Sequence, residues 1–181
     1  MAEATWRLHW EADLAADDHV WLGALLAKIY PDHAATFRER SYSGARPEGR
    51  IVGYAGDSPI AHLGFLRRTL RTGEASVLVG DVGLVGVDPD HRGGGHGRRL
   101  LAEATATFDR LALPFGFLTC RPAVVPFYER GGWHRVAGQV TRMIDNAGRP
   151  ETYTGPALVL PVRSPIHAWP AGPVVRDGLE V

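Results

Sequence analysis

G-D-V-G-L-V-G-V-D-P-D-H-R-G-G-G-H-G-R-R-L-L, Gly80–Leu101, is the stretch from which the chain is read. It describes a strand, a tight polar turn, and a glycine-rich loop that opens a helix. Gly93, Gly94, Gly95 and Gly97 crowd the turn, flanked by Arg92, Arg98 and Arg99. Without Cβ atoms, consecutive amides can turn toward one point. Amides at a helix start lack intrahelical partners, and the helix dipole adds positive character there. Strand, loop and helix N-terminus together predict a phosphate cradle.

Working outward, Arg50–Tyr54 and Ile60–Leu70 read as two strands around the turn A-G-D-S-P. R-T-G-E then turns the chain into a long strand, Ala75–Val87. A helix is predicted over Gly95–Leu111, with Leu100, Leu101, Ala104, Phe108 and Leu111 facing inward. Phe115–Cys120 is a short apolar strand. Strand, helix and strand in succession imply a parallel pair. The fold class is therefore α+β, with an antiparallel meander leading into a βαβ unit.

The flanks are less regular. Residues 5–10 suit a strand. Asp17 or Asp18 can cap a helix in which Leu14, Val20, Trp21, Leu25 and Ile29 recur at helical spacing, and Pro31 stops it. Residues 31–49 read as a long polar connection carrying Asp32, His33, Glu39 and Tyr42, either a solvated loop or a wall facing substrate. Ala123–Arg130 is a short helix ended by Gly131 and Gly132. Val136–Ile144 and Ala157–Val162 read as a closing pair of strands. Residues 164–181 have no periodicity and are expected to wrap the surface of a single domain spanning 1–181.

Composition excludes several classes. With 181 residues, 45% of them hydrophobic, the chain can bury a substantial core. Its formal charge is zero, which disfavours nucleic acid as a partner. No run approaches the ~20 apolar residues of a membrane span. The first ten residues lack the apolar core of a signal peptide. The single cysteine, Cys120, excludes an internal disulfide and reads as a small buried residue. A cytoplasmic location follows as the expectation. No His, Asp or Glu set has metal-ligand spacing. His9 and His62, both on strands, read as partly buried polar residues or substrate contacts.

The glycine loop fits neither a P-loop, since Arg98-Arg99 follows Gly97 where Lys-Ser or Lys-Thr is needed, nor a dinucleotide fingerprint, since antiparallel strands precede it. Arg92-Gly93-Gly94-Gly95-His96-Gly97 instead resembles motif A of the GNAT superfamily of N-acetyltransferases. F-Y-E-R-G-G-W, Phe127–Trp133, is similar to that superfamily's second signature. The resemblance implies the GNAT fold, a mostly antiparallel mixed sheet splayed at the cofactor site. It also implies acetyl-CoA as cofactor. Its pyrophosphate would lie on Arg92, Gly93, Gly94, Gly95, His96, Gly97 and Arg98. Its pantetheine arm would pair with the backbone of Val85, Gly86 and Val87, which also polarises the thioester carbonyl. Tyr128 would be the acid for the leaving thiolate. Asp81 is the candidate base for the attacking amine.

Two closer resemblances compete. W-R-L-H-W-E, G-A-R-P-E, A-H-L-G-F-L-R-R, L-P-F-G-F and S-P-I-H-A-W-P-A-G are similar to the nodulation N-acyltransferases, NodA. That family moves a fatty acyl chain from a carrier protein to an oligosaccharide amine. I-A-H-L-G-F-L-R-R, V-D-P-D-H-R-G, F-Y-E-R-G-G-W and A-L-V-L-P-V resemble aminoglycoside 2'-N-acetyltransferases. The glycine loop is complete here and eroded in the nodulation enzymes. The leading expectation is therefore acetylation of an amino sugar, an aminoglycoside, with Asp32 and Asp81 among the carboxylates facing it. A NodA-like transfer and a domain that binds CoA or a partner without turnover are the alternatives. A homodimer is admitted.

Overall fold

The computed structural model describes residues 4–181. In chain order the elements are β1 (Thr5–Trp10), α1 (Ala16–Ile29), α2 (Ala34–Glu39), β2 (Gly49–Ala55), β3 (Ser58–Thr72), β4 (Ala75–Val87), α3 (His96–Arg110), β5 (Phe115–Thr119) and α4 (Val125–Glu129). Five short strands follow: β6 (His134–Arg135), β7 (Thr141–Ile144), β8 (Pro150–Tyr153), β9 (Ala157–Pro161) and β10 (Val174–Val175). The chain divides into two compact units, and β3, β4 and α3 each pass from one to the other.

Of the described residues, the first unit comprises 4–66, 83–104 and 181. Its strands β1, β2 and the first part of β3 form an antiparallel meander, with Trp6 opposite Gly53 and Ile51 opposite Leu63. α1 starts where the Asp18 carboxylate accepts the Ala15 amide at 2.8 Å, closing the first turn. It buries Leu22, Leu25, Leu26 and Ile29. Val20, expected inward, is 70% exposed. The 31–49 connection is not wholly irregular. Ala-Ala-Thr-Phe-Arg-Glu favours helix, and α2 forms because Phe37 then packs on Leu26, Leu84 and Tyr30.

The second unit comprises residues 67–82 and 105–180. Its strand order is β6-β9-β5-β4-β3-β10-β7-β8. The β4–β5 ladder is parallel as expected, pairing Val79 with Phe115, Gly80 with Gly116 and Asp81 with Phe117. The facing glycines make room for large rings. A Cβ on Gly80 would sit 2.6 Å from the Phe108 ring, and one on Gly116 would sit 3.0 Å from Trp133. The core joins Leu70, Val77, Val79, Phe115, Phe117, Ala157, Val159 and Val174.

Two expectations fail in this unit. Residues 136–144 are not one strand, because Ala137-Gly138-Gln139 breaks the run. β7 pairs with β8 and β10, whereas β9 pairs with β5 and β6. Nor does the 164–181 segment merely wrap the surface. β10 is antiparallel to β3 on one side and parallel to β7 on the other. Trp169 stacks on Phe117 at 5.8 Å and meets Phe115 edge-on at 5.3 Å. Gln139 holds the approach to β10 by donating to the carbonyls of Pro170 and Gly172.

Candidate functional site

The predicted site residues fall into both units. Asp32, Val85, Gly86, Val87 and the 92–98 loop belong to the first, while Asp81 and Tyr128 belong to the second.

In the first unit, β4 is irregular where the chemistry was expected. Leu84 has φ 55°, the left-handed region that costs a side-chain-bearing residue. The glycines on either side permit close packing: a Cβ on Gly83 would fall 2.0 Å from the Val181 carbonyl oxygen, and one on Gly86 would fall 2.2 Å from Ile29 Cγ2. Side chains grip the backbone between them. Tyr30 Oη donates to the Val85 carbonyl at 2.7 Å, and His62 Nδ1 lies 2.8 Å from the Leu84 carbonyl.

β4 ends in a fixed turn. The Asp88 amide donates to the Ile60 carbonyl at 2.8 Å, and its carboxylate accepts from the Asp90 amide at 3.0 Å. Lys28 Nζ holds the same carboxylate at 3.0 Å. Although burial opposes it, the Lys28 bond takes the Asp88 carboxyl below the usual range. The loop that follows is open. Gly93 and Gly95 have φ 86° and 78°, and an added Cβ at either would meet nothing within 4 Å. The Arg99 amide closes the first turn of α3 on the Gly95 carbonyl at 3.1 Å, so the helix starts on the loop. Arg92, Arg98 and Arg99 are exposed, and Arg99 pairs with Glu103 at 2.7 Å.

A buried polar chain in the same unit escaped the sequence. Arg50, wholly buried, donates to both oxygens of Glu11 at 2.6 and 3.1 Å and to the Ser41 carbonyl and hydroxyl at 2.8 and 3.1 Å. Arg46 adds a bond to Glu11 at 2.6 Å. Burial raises the Glu11 carboxyl, but the bonds from Arg50 and Arg46 win and hold it below the usual range. Arg50 also lies 3.3 Å from His62 Nε2. Burial, reinforced by the Arg50 charge, depresses His62 to about 3. An arginine inside a predicted strand was the only available signal.

In the second unit, Asp81 is fully buried. Arg176 donates to its Oδ1 at 3.0 Å, and Arg68 Nε stands 3.2 Å from Oδ2. Burial pushes its carboxyl above the usual range while the two guanidiniums pull it down. This arrangement makes Asp81 the anchor of the C-terminal segment and shields it from an amine arriving through solvent. Tyr128 lies in α4, 8% exposed, with Phe127 and Trp133 edge-on to its ring. Gly132, φ 86°, ends the helix as expected.

The other carboxylates that a cationic substrate could meet are dispersed. Asp145 is bound by Arg149, Asp177 by Arg71, and Glu180 by Thr119 and Arg176. Asp32 and Glu39 are exposed in the first unit. Burial pushes the Cys120 thiol up to about 11, unsuited to a nucleophile. Among the described residues, no group of three or more His, Cys, Asp and Glu is placed to hold a metal ion, and no helix is long and apolar enough to cross a membrane.

Among solved structures, the chain is similar to a GNAT family N-acetyltransferase from Escherichia coli in complex with CoA. The TM-score is 0.65 at 17% identity, covering 95% of this chain and 88% of that one. It is also similar to an acyl-CoA N-acyltransferase from Pseudomonas aeruginosa, with a TM-score of 0.60 at 16% identity, covering 87% and 99%. These show the GNAT fold. In sequence it is 38% identical to nodulation protein A of Rhizobium tropici over 99% of both chains. It is 35% identical to nodulation protein A of Bradyrhizobium sp. (strain NC92), over 99% of this chain and 92% of that one. These relatives favour the nodulation resemblance, and the aminoglycoside reading finds no support in them. Residues 1–181 match the family Nodulation protein A (NodA), and the chain is a member of that family built on the GNAT acyltransferase fold.

Proposed function

We propose that this N-acyltransferase carries an acyl group from the thioester of coenzyme A to the amine of an oligosaccharide, by direct attack. The acceptor class rests on family membership over the whole length. It replaces the aminoglycoside of the sequence reading.

The observation that supports the donor is the loop before α3. Gly93 and Gly95 hold left-handed backbone with no atom within 4 Å of an added Cβ, and exposed arginines flank them. A diphosphate fits such a loop: amides and the helix start supply donors, and Arg92 and Arg98 supply charge. CoA would bring the thioester. The chain's part is to hold the diphosphate at residues 92–98 and to aim the backbone of Val85, Gly86 and Val87 at the pantetheine and the thioester carbonyl. The amine must be neutral to attack. Asp81, engaged by two arginines, orders the structure around it, and water carries the amine proton away. Tyr128 supplies a proton to the departing thiolate.

The test is thiol release and product mass with acyl-CoA donors of graded chain length and a chitosan oligomer, run beside an acyl carrier protein donor and an aminoglycoside acceptor. Transfer from acyl-CoA to the oligomer is expected. Transfer only from the carrier protein would overturn the donor assignment. Transfer only to the aminoglycoside would overturn the acceptor.

A further inference from the structure

His62 has no role in the acyl-transfer reading, yet its surroundings are unusually determined. It sits on β3 at 0% exposure. Nδ1 lies 2.8 Å from the Leu84 carbonyl oxygen, which can only accept, so Nδ1 carries the proton. Nε2 lies 3.3 Å from Arg50 Nη1, which can only donate, so Nε2 offers its lone pair. Both neighbours select the same neutral tautomer. Arg50 is itself fixed by Glu11 and Ser41, so the imidazole has a rigid back wall.

What it holds is equally specific. The carbonyl it binds belongs to Leu84, whose φ of 55° is strained for a leucine. Such backbone persists where its surroundings over-determine it. The same peptide unit carries the Val85 N–H at its other end. The next carbonyl, of Val85, is taken by Tyr30 at 2.7 Å. Two side chains thus fix two successive peptides of β4. A hydrogen bond received at an amide oxygen also polarises that amide and strengthens its N–H as a donor.

We propose that His62 is a positioning residue for acyl transfer: by donating Nδ1–H to the Leu84 carbonyl it orients and polarises the Leu84–Val85 peptide, so that the Val85 N–H meets the developing negative charge on the thioester oxygen. This rests on the proposed function. It adds that the site's hydrogen-bonding strength is set from behind the strand by Glu11, Arg50 and His62.

The test compares His62→Asn, His62→Gln and His62→Phe. An asparagine amide places its N–H near the position of Nδ1, a glutamine amide reaches toward Nε2, and phenylalanine keeps only the ring. In steady-state acyl transfer, His62→Phe and His62→Gln are expected to lose roughly 10-fold or more in kcat with KM for acyl-CoA within about twofold, the pattern of an interaction made in the transition state. His62→Asn is expected to recover most of that loss. Equal losses in all three variants, or a loss confined to KM, would overturn the proposal. A second readout is independent of turnover. Nitrogen NMR of the wild-type imidazole is expected to show the Nδ1–H tautomer, and an Nε2–H tautomer would also overturn it. If the wild type transferred no acyl group while showing that tautomer, the functional reading would fall, the positioning role of His62 with it, and the contact that fixes the Leu84 peptide alone would stand.

Discussion

Arg176 and Asp81 meet at 3.0 Å with neither side chain reaching solvent, joining β4 to a segment 95 residues later in the chain. Removing one partner strands the other charge in the interior, which costs far more than the pair contributes against an apolar substitute. Arg176→Ala should therefore destabilise the protein by about 3–5 kcal/mol in urea unfolding. The double variant Asp81→Asn, Arg176→Met should recover a large part of that. A loss below about 1 kcal/mol for the single variant would mean that Arg68 alone satisfies the carboxylate.

Stability should fall on acidification because of His62. Its folded value, about 3, lies below the ordinary 6.5, so the unfolded chain takes up the proton first. The contribution is complete above pH 6.5 and is lost as pH falls from there toward 3. Each unit inside that window costs up to ~1.4 kcal/mol. Glu11, also depressed, adds its own loss only below its ordinary value of 4.5. Unfolding free energies of wild type and His62→Asn at pH 7, 6 and 5 should therefore converge as pH drops. Parallel lines would mean that His62 accepts a proton in the fold.

The glycine loop offers a cleaner separation of binding from folding. Gly93→Val and Gly95→Val meet no neighbour and suffer only from left-handed backbone, about 1–2 kcal/mol each. Gly148→Val carries the same strain in the β7–β8 turn, with equally open space. Calorimetric titration with CoA should show weaker binding for the two loop variants and wild-type affinity for Gly148→Val. Equal affinities across all three would remove the loop from the cofactor's path.

Tyr128→Phe keeps the ring contacts with Phe127 and Trp133 and removes one hydroxyl. With an acyl-CoA donor, kcat should fall by about 100-fold, within the usual range for loss of a proton donor. An unchanged rate with an unchanged unfolding midpoint would assign Tyr128 to packing alone.

What was legible in the sequence was local. The bounds of β4, Ala75–Val87, follow from its run of Val and Gly and are met residue for residue. α3 is met to within a residue at either end, because glycines start it and an apolar stripe sustains it. The second-unit tail was opaque for a physical reason. β10 is two residues long and has no pattern of its own; it forms because β3 and β7 present edges to it. The Glu11–Arg50–His62 chain was hidden similarly. Each residue alone reads as a surface charge or an ordinary polar strand residue, and only tertiary contact makes them a buried series. The substrate class was blurred by the glycine loop, whose completeness argued for one family while the whole chain, loop included, belongs to another.

The late arrival of β10 bears on biosynthesis. Until residues 174 and 175 leave the ribosome, β3 and β7 have no strand between them, and each offers a row of unpaired backbone groups to any passing chain. The backbone of Arg71–Thr72 on one strand and of Thr141–Arg142 on the other therefore gains these ladder partners only once β10 has been made.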